Sequence, residues 1–210
     1  MNYPEEWDEL PKRERKKKIK ELRREKAEQR IKMKKILIIA GIVGVTLFIV
    51  AGYSFLTRKS PEEVAFEQEV EKVTLEGKVE EFDIEGKEHV AAGTDVKYKT
   101  NPPSSGDHYA VPADWGIYDE ELTEEAVVHS IEHGGIWIAY QDTSDEERSV
   151  LEEIGRENSQ SVIVSPRSAN DAKISIVSWG RMMKLESVDK AIIQKYINTY
   201  KNQSPEPLAR

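Results

Sequence analysis

Between Ile36 and Leu56 the chain carries no charged residue: ILIIAGIVGVTLFIVAGYSFL. At about 1.5 Å per residue, a helix of this length crosses a hydrocarbon core of ~30 Å. Nothing in the run is polar enough to give a wet face, so a buried helix of a soluble core fits poorly. A cleaved signal peptide fits poorly too. The preceding region is long, the apolar run exceeds a typical signal core, and the exit, SFLTRKSPEE, offers no small-residue cleavage site. The segment predicts a retained single-pass anchor, with the lipid bilayer as partner.

Charge predicts its orientation. The stretch KRERKKKIKELRREKAEQRIKMKK, Lys12 to Lys35, is crowded with Lys and Arg, whereas Arg58 and Lys59 are followed by the acidic PEEVAFEQEVE. Basic flanks stay cytoplasmic. The expected order is a basic cytoplasmic arm over 1–35, a transmembrane helix over 36–56, a stalk leading into the domain over 57–84, and an extracytoplasmic domain over 85–210. Tyr53 and Phe55 suit an interfacial position at the outer end. The formal net charge of −8 averages a basic arm with a strongly acidic exterior. That exterior argues against nucleic acid as its partner. Anionic headgroups or cytoplasmic nucleic acid would suit the arm, but topology already accounts for its charge. No protein partner can be read from the residues.

There is no cysteine, so disulfides and thiolate chemistry are excluded, and a metal site must use His, carboxylate, Met or backbone oxygen. All four histidines, His89, His108, His129 and His133, lie in one stretch of the outer part. In VVHSIEHGG, His129 and His133 are four apart, one helical turn, which puts both imidazoles on one face. His108 follows the loop NPPSSGD and supplies a third ligand; His89 supplies a fourth or supports the others. Nitrogen ligands suit zinc, copper(II) or nickel. Met182 and Met183 would add a soft ligand for copper(I), although gap-filling in a core is the usual role of Met. His129-Ser-Ile-Glu132-His133 also matches H-x-x-E-H, in which two histidines hold zinc and the Glu activates water. Glu132 is the catalytic candidate only in that hydrolase. The glycines after His133 end the helix early for such an enzyme. Ser104, Ser105 and Ser130 lie near His and Asp107, but no nucleophile elbow is present. The carboxylates at Asp119–Glu121 and Asp145–Glu147 read as solvated faces and helix caps, without calcium-loop spacing.

For the outer part the pattern predicts α+β: an α/β sandwich of helices on a mostly antiparallel sheet. Helices are expected over 123–133, 144–158 and 188–200. Short strands are expected within 73–82 and 96–99, and buried ones at Ile136–Tyr140, Ser161–Ser165 and Ile174–Trp179.

NPPSSGDH, VVHSIEHGGIWIAY, the WGR at Trp179–Arg181 and the PEP at Pro205–Pro207 together resemble a family of bacterial and archaeal membrane-anchored proteins. It is grouped as domain of unknown function 3105. The likeness covers roughly Glu85 to Pro207. It implies a single N-terminal anchor and no particular activity, and it directs attention to His89, His108, His129, Glu132 and His133. The role expected from the residues is a membrane-anchored domain binding a transition metal, copper or zinc. The alternatives are a non-catalytic envelope or assembly protein with structural histidines, and a small zinc hydrolase.

Overall fold

A computed structural model of the chain describes residues 4–7 and 9–209. Residues 1–3, 8 and 210, parts of the expected arm and domain, lie outside the described residues. The chain divides into two units, 1–60 and 61–210.

In the first unit, helix α1, Lys12–Leu56, continues without a break from the basic stretch into the apolar one. Among the described residues it is the one helix long and apolar enough to cross a membrane. The apolar side chains over 36–55 are exposed all round, Phe48 and Tyr53 among them. In mid-run the Thr46 hydroxyl donates to the Ile42 carbonyl at 2.9 Å, so this polar group would not be left bare in lipid.

The second unit opens with α2, Pro61–Lys72, where the sequence suggests only a stalk. Its signals are nevertheless regular: Pro at the first position, Glu62 and Glu63 in the first turn, Lys72 in the last. There follow β1 (Glu80–Glu81), β2 (His89–Val90), β3 (His108–Tyr109), β4 (Gly116–Ile117), α3 (Glu124–Glu132), β5 (Ile136–Tyr140) and α4 (Asp145–Glu157). The chain continues through β6 (Val162–Pro166), β7 (Ile174–Ser178), β8 (Arg181–Leu185) and α5 (Lys190–Tyr200). Six strands form one sheet in the order β1-β8-β7-β5-β6-β4; β2 and β3 form a second, parallel pair.

The fold is α+β, but the sheet is mixed rather than mostly antiparallel. β1–β8, β8–β7 and β7–β5 are antiparallel; β5–β6 and β6–β4 are parallel. The reason lies in the connection β5-α4-β6, because a strand returning through a helix comes back in the same direction. Both faces of the sheet are covered, which explains strands as uniformly buried as IWIAY. Alternation splits them: Ile136, Ile138 and Tyr140 join Leu151, Ile154, Ile193 and Tyr196 under α4 and α5, while Trp137 joins Val127, Val128 and Ile131 of α3 on the other side. Gly155 lets α4 approach the sheet; a methyl there would lie 2.8 Å from Val164 Cγ2.

Two expected strand regions are mostly something else. Within 73–82 only Glu80–Glu81 pair; Lys78 N–H bonds the Leu75 carbonyl at 3.1 Å and Gly77 has φ +71°, so the middle is a turn. The 96–99 segment has no ladder because carboxylates take its amides: Val96 N–H donates to Glu125 (3.1 Å) and Lys99 N–H to Glu85 (2.8 Å).

Candidate metal centre

The parallel β2–β3 pair sets His89 opposite His108 and Val90 opposite Tyr109. Opposed residues in a ladder share a face. The two imidazoles accordingly stand edge to face, with ring centroids 5.1 Å apart. Helix α3 supplies the rest. The His129 ring lies 4.7 Å from that of His108, 4.8 Å from that of His89 and 4.4 Å from that of His133, one turn on. Glu132 turns its carboxylate toward His108, with Oε2 3.1 Å from Nε2. α3 is tied to the preceding loop by Ser130, whose hydroxyl donates to the Ala113 carbonyl at 2.7 Å.

Backbone carbonyls decide which ring nitrogen is bare. A carbonyl can only accept, so the nitrogen facing it must carry hydrogen. His108 Nδ1 faces the Gly106 carbonyl at 2.8 Å, and His129 Nδ1 faces the Tyr109 carbonyl at 2.6 Å. In the neutral form each ring would therefore present Nε2 as a lone pair, the arrangement that orients metal-binding histidines. His108 is fully buried, yet among the described residues its Nε2 has no hydrogen-bond partner; the Glu132 contact is close but not aligned as one. A bare nitrogen lone pair beside a carboxylate oxygen is repulsive, and a proton or cation between them removes the repulsion. Burial holds His129 well below its ordinary pKa of 6.5, at about 4; the bond to Tyr109 opposes this, and the neighbouring imidazoles add to it. The ring is therefore neutral at neutral pH.

The irregular segment before β3 is braced by polar contacts, most of them partly buried. Glu85 accepts from the Lys99 and Thr100 amides and its own N–H donates to Ser105 Oγ. The Tyr98 hydroxyl donates to the Asp107 carbonyl at 2.8 Å; burial and then the carboxylates of Glu125, Glu124 and Asp107 push its pKa up, so it stays a donor. Gly106 has φ +129°, and a methyl there would lie 2.7 Å from the Tyr98 ring. That glycine aims its carbonyl at His108.

Beyond Glu132 the helix ends in a Schellman motif: Gly134 N–H bonds the Ile131 carbonyl and Gly135 N–H the Ser130 carbonyl. The C-terminal tail takes the remaining acceptors. Glu206 N–H bonds the Glu132 carbonyl (3.2 Å), Leu208 N–H that of His133 (2.8 Å), and Asn202 N–H that of Gly134 (2.9 Å). Asn202 then clasps Ala209 by two side-chain bonds.

His89, His108, His129 and Glu132 each offer one ligand atom, all within 4.8 Å of one another. His133 stands outside this group, at its outer edge, with Nε2 3.1 Å from His129 Nε2 and 3.3 Å from Glu206 Oε2. Glu132 thus faces the imidazoles directly. Glu206 carries no reading in the sequence beyond its place in PEP. Met182 and Met183 are buried in the two apolar clusters on opposite faces of the sheet, as packing residues. Ser104 bonds Thr100 of its own loop, Ser105 accepts from the Glu85 amide, and Ser130 bonds the Ala113 and Ala126 carbonyls, so all three serve structure.

These features define an α+β domain with a mixed sheet and a buried histidine–carboxylate group, in a chain that also has one apolar helix long enough to cross a membrane. The chain belongs to the family described as protein of unknown function (DUF3105), which matches residues 89–210 and so includes all four histidines. No curated protein and no solved structure matches the chain.

Proposed function

We propose that this protein is a single-pass membrane protein whose extracytoplasmic domain binds one divalent transition metal, copper(II) or zinc, in metal handling at the cell surface. α1 spans the bilayer over 36–56, the basic arm over 1–35 stays in the cytoplasm, residues 57–84 lead outward, and 85–210 carry the site. His89, His108, His129 and Glu132 are the ligands, with His133 beside them. The observation that carries this reading is the buried His108 Nε2, without a hydrogen-bond partner among the described residues and 3.1 Å from the Glu132 carboxylate. Three imidazole nitrogens and one carboxylate, without thiolate, suit copper(II) or zinc better than copper(I). Bound there, the ion would attract both the His108 Nε2 and the Glu132 carboxylate.

The test is elemental analysis of the full chain, purified in detergent without a His tag, followed by calorimetry with zinc and copper(II). One ion per chain is expected, with His108→Ala and Glu132→Gln each losing it. A wild-type chain that neither contains nor takes up zinc, copper or nickel overturns the reading.

A further inference from the structure

Of the four ligands, His89 is exposed and the other three are enclosed. His108, His129 and Glu132 are buried, and the Trp179 ring stands edge-on to His108 with centroids 6.3 Å apart. Next to His129 Nε2 stand His133, with one fifth of its side chain exposed, and, beyond it, Glu206, with 61% exposed. A hydrated dication cannot reach a buried position in one step, because each lost water must be replaced as it leaves or the charge is desolvated unpaired. The exposed pair is placed to begin that replacement.

Resting on the metal-site reading above, we infer that His133 and Glu206 form an exchange station through which the cation enters and leaves, with His129 as the pivot shared by the station and the resident site. His133 Nε2 and His129 Nε2 are 3.1 Å apart. Two nitrogens holding one ion at about 2.0–2.1 Å, roughly at right angles, lie ~3 Å apart. An ion taken by Glu206 and His133 therefore reaches His129 without first letting go, then exchanges those two for His108, Glu132 and His89. The tail sets this geometry: the amide of Glu206 bonds the carbonyl of Glu132, so the outer carboxylate is registered to the inner one through the backbone. Leu208 and Ala209 bond the His133 carbonyl in the same way.

An exchange station differs from a resident ligand in a measurable respect. Removing a ligand weakens affinity and speeds release; removing a station slows loading and release together and leaves Kd unchanged. The experiment follows copper(II) loading of the full chain in detergent micelles by quenching of tryptophan fluorescence in stopped flow, and release to an added chelator. His133→Gln and Glu206→Gln should each slow both rates about tenfold, with one copper per chain and Kd as in wild type. His89→Ala, which removes an exposed resident ligand, should instead weaken Kd by at least about tenfold, the low end for lost metal-site support. Thermal unfolding of each variant separates this from a loosened tail. Faster release with a weaker Kd in His133→Gln makes His133 a resident ligand and overturns the inference. Unchanged rates in both variants also overturn it. A wild-type chain that binds no copper removes the metal-site reading, and the station with it.

Discussion

His129 carries three constraints at once: its Nδ1–H is held by the Tyr109 carbonyl, its Nε2 meets His133, and its ring packs against those of His89 and His108. Burial, the largest cause, keeps it neutral, with a pKa at about 4 instead of 6.5. The folded state therefore binds this proton less readily than the unfolded chain, so stability is present above pH 6.5 and is lost as pH falls toward 4. Thermal unfolding of the metal-free chain should decline over that window, and His129→Gln should flatten the decline; equal pH profiles for the two would refute the assignment. Gly135 illustrates a different constraint. A methyl there would overlap the Trp115 ring, so Gly135→Ala should cost about 1–3 kcal/mol in urea unfolding, as overpacking does.

Helix ends discriminate between residues of similar type. Ser144 caps α4 in a full capping box, its side chain accepting from Glu147 N–H while Glu147 reaches back to Ser144 N–H. Thr123 precedes α3 in the same position but makes no side-chain cap. Ser144→Ala should therefore cost ~1 kcal/mol and Thr123→Ala markedly less; equal losses in denaturant titration would contradict this. The capping box and the N-cap Asp189 of α5 follow from local chemistry, which is why α4 and α5 start close to where the residues suggest. β8 is the opposite case. RMMKL has no β-branched or aromatic residue, gives no strand signal, and forms because β7 offers it an edge after the turn at Gly180.

At the scale of the molecule, the second unit holds both faces of the sheet covered without residues 1–60. A chain beginning at Pro61 should fold and unfold cooperatively, and zinc or copper(II) at about 100 times Kd should add ~2.7 kcal/mol, raising Tm by roughly 5–10 °C. Non-cooperative melting, or a Tm indifferent to either metal, would count against the domain or the site respectively. Protease added outside spheroplasts should digest residues after Thr57 and spare the basic arm if the charge asymmetry sets topology. The residues alone determine the apolar helix, since length and absence of charge are properties of a single segment. They also determine most of α3, α4, α5 and the buried strands β5 to β7, through caps and periodicity. Only the tertiary structure decides the parallel pairing of β5, β6 and β4, because direction depends on the paths taken through α3 and α4. It alone brings His89 beside His108, through strands of two residues too short to leave a pattern. It also turns Glu132 toward His108 and brings Glu206 to His133, through a tail whose bonds to α3 are entirely non-local and therefore invisible to any window of sequence.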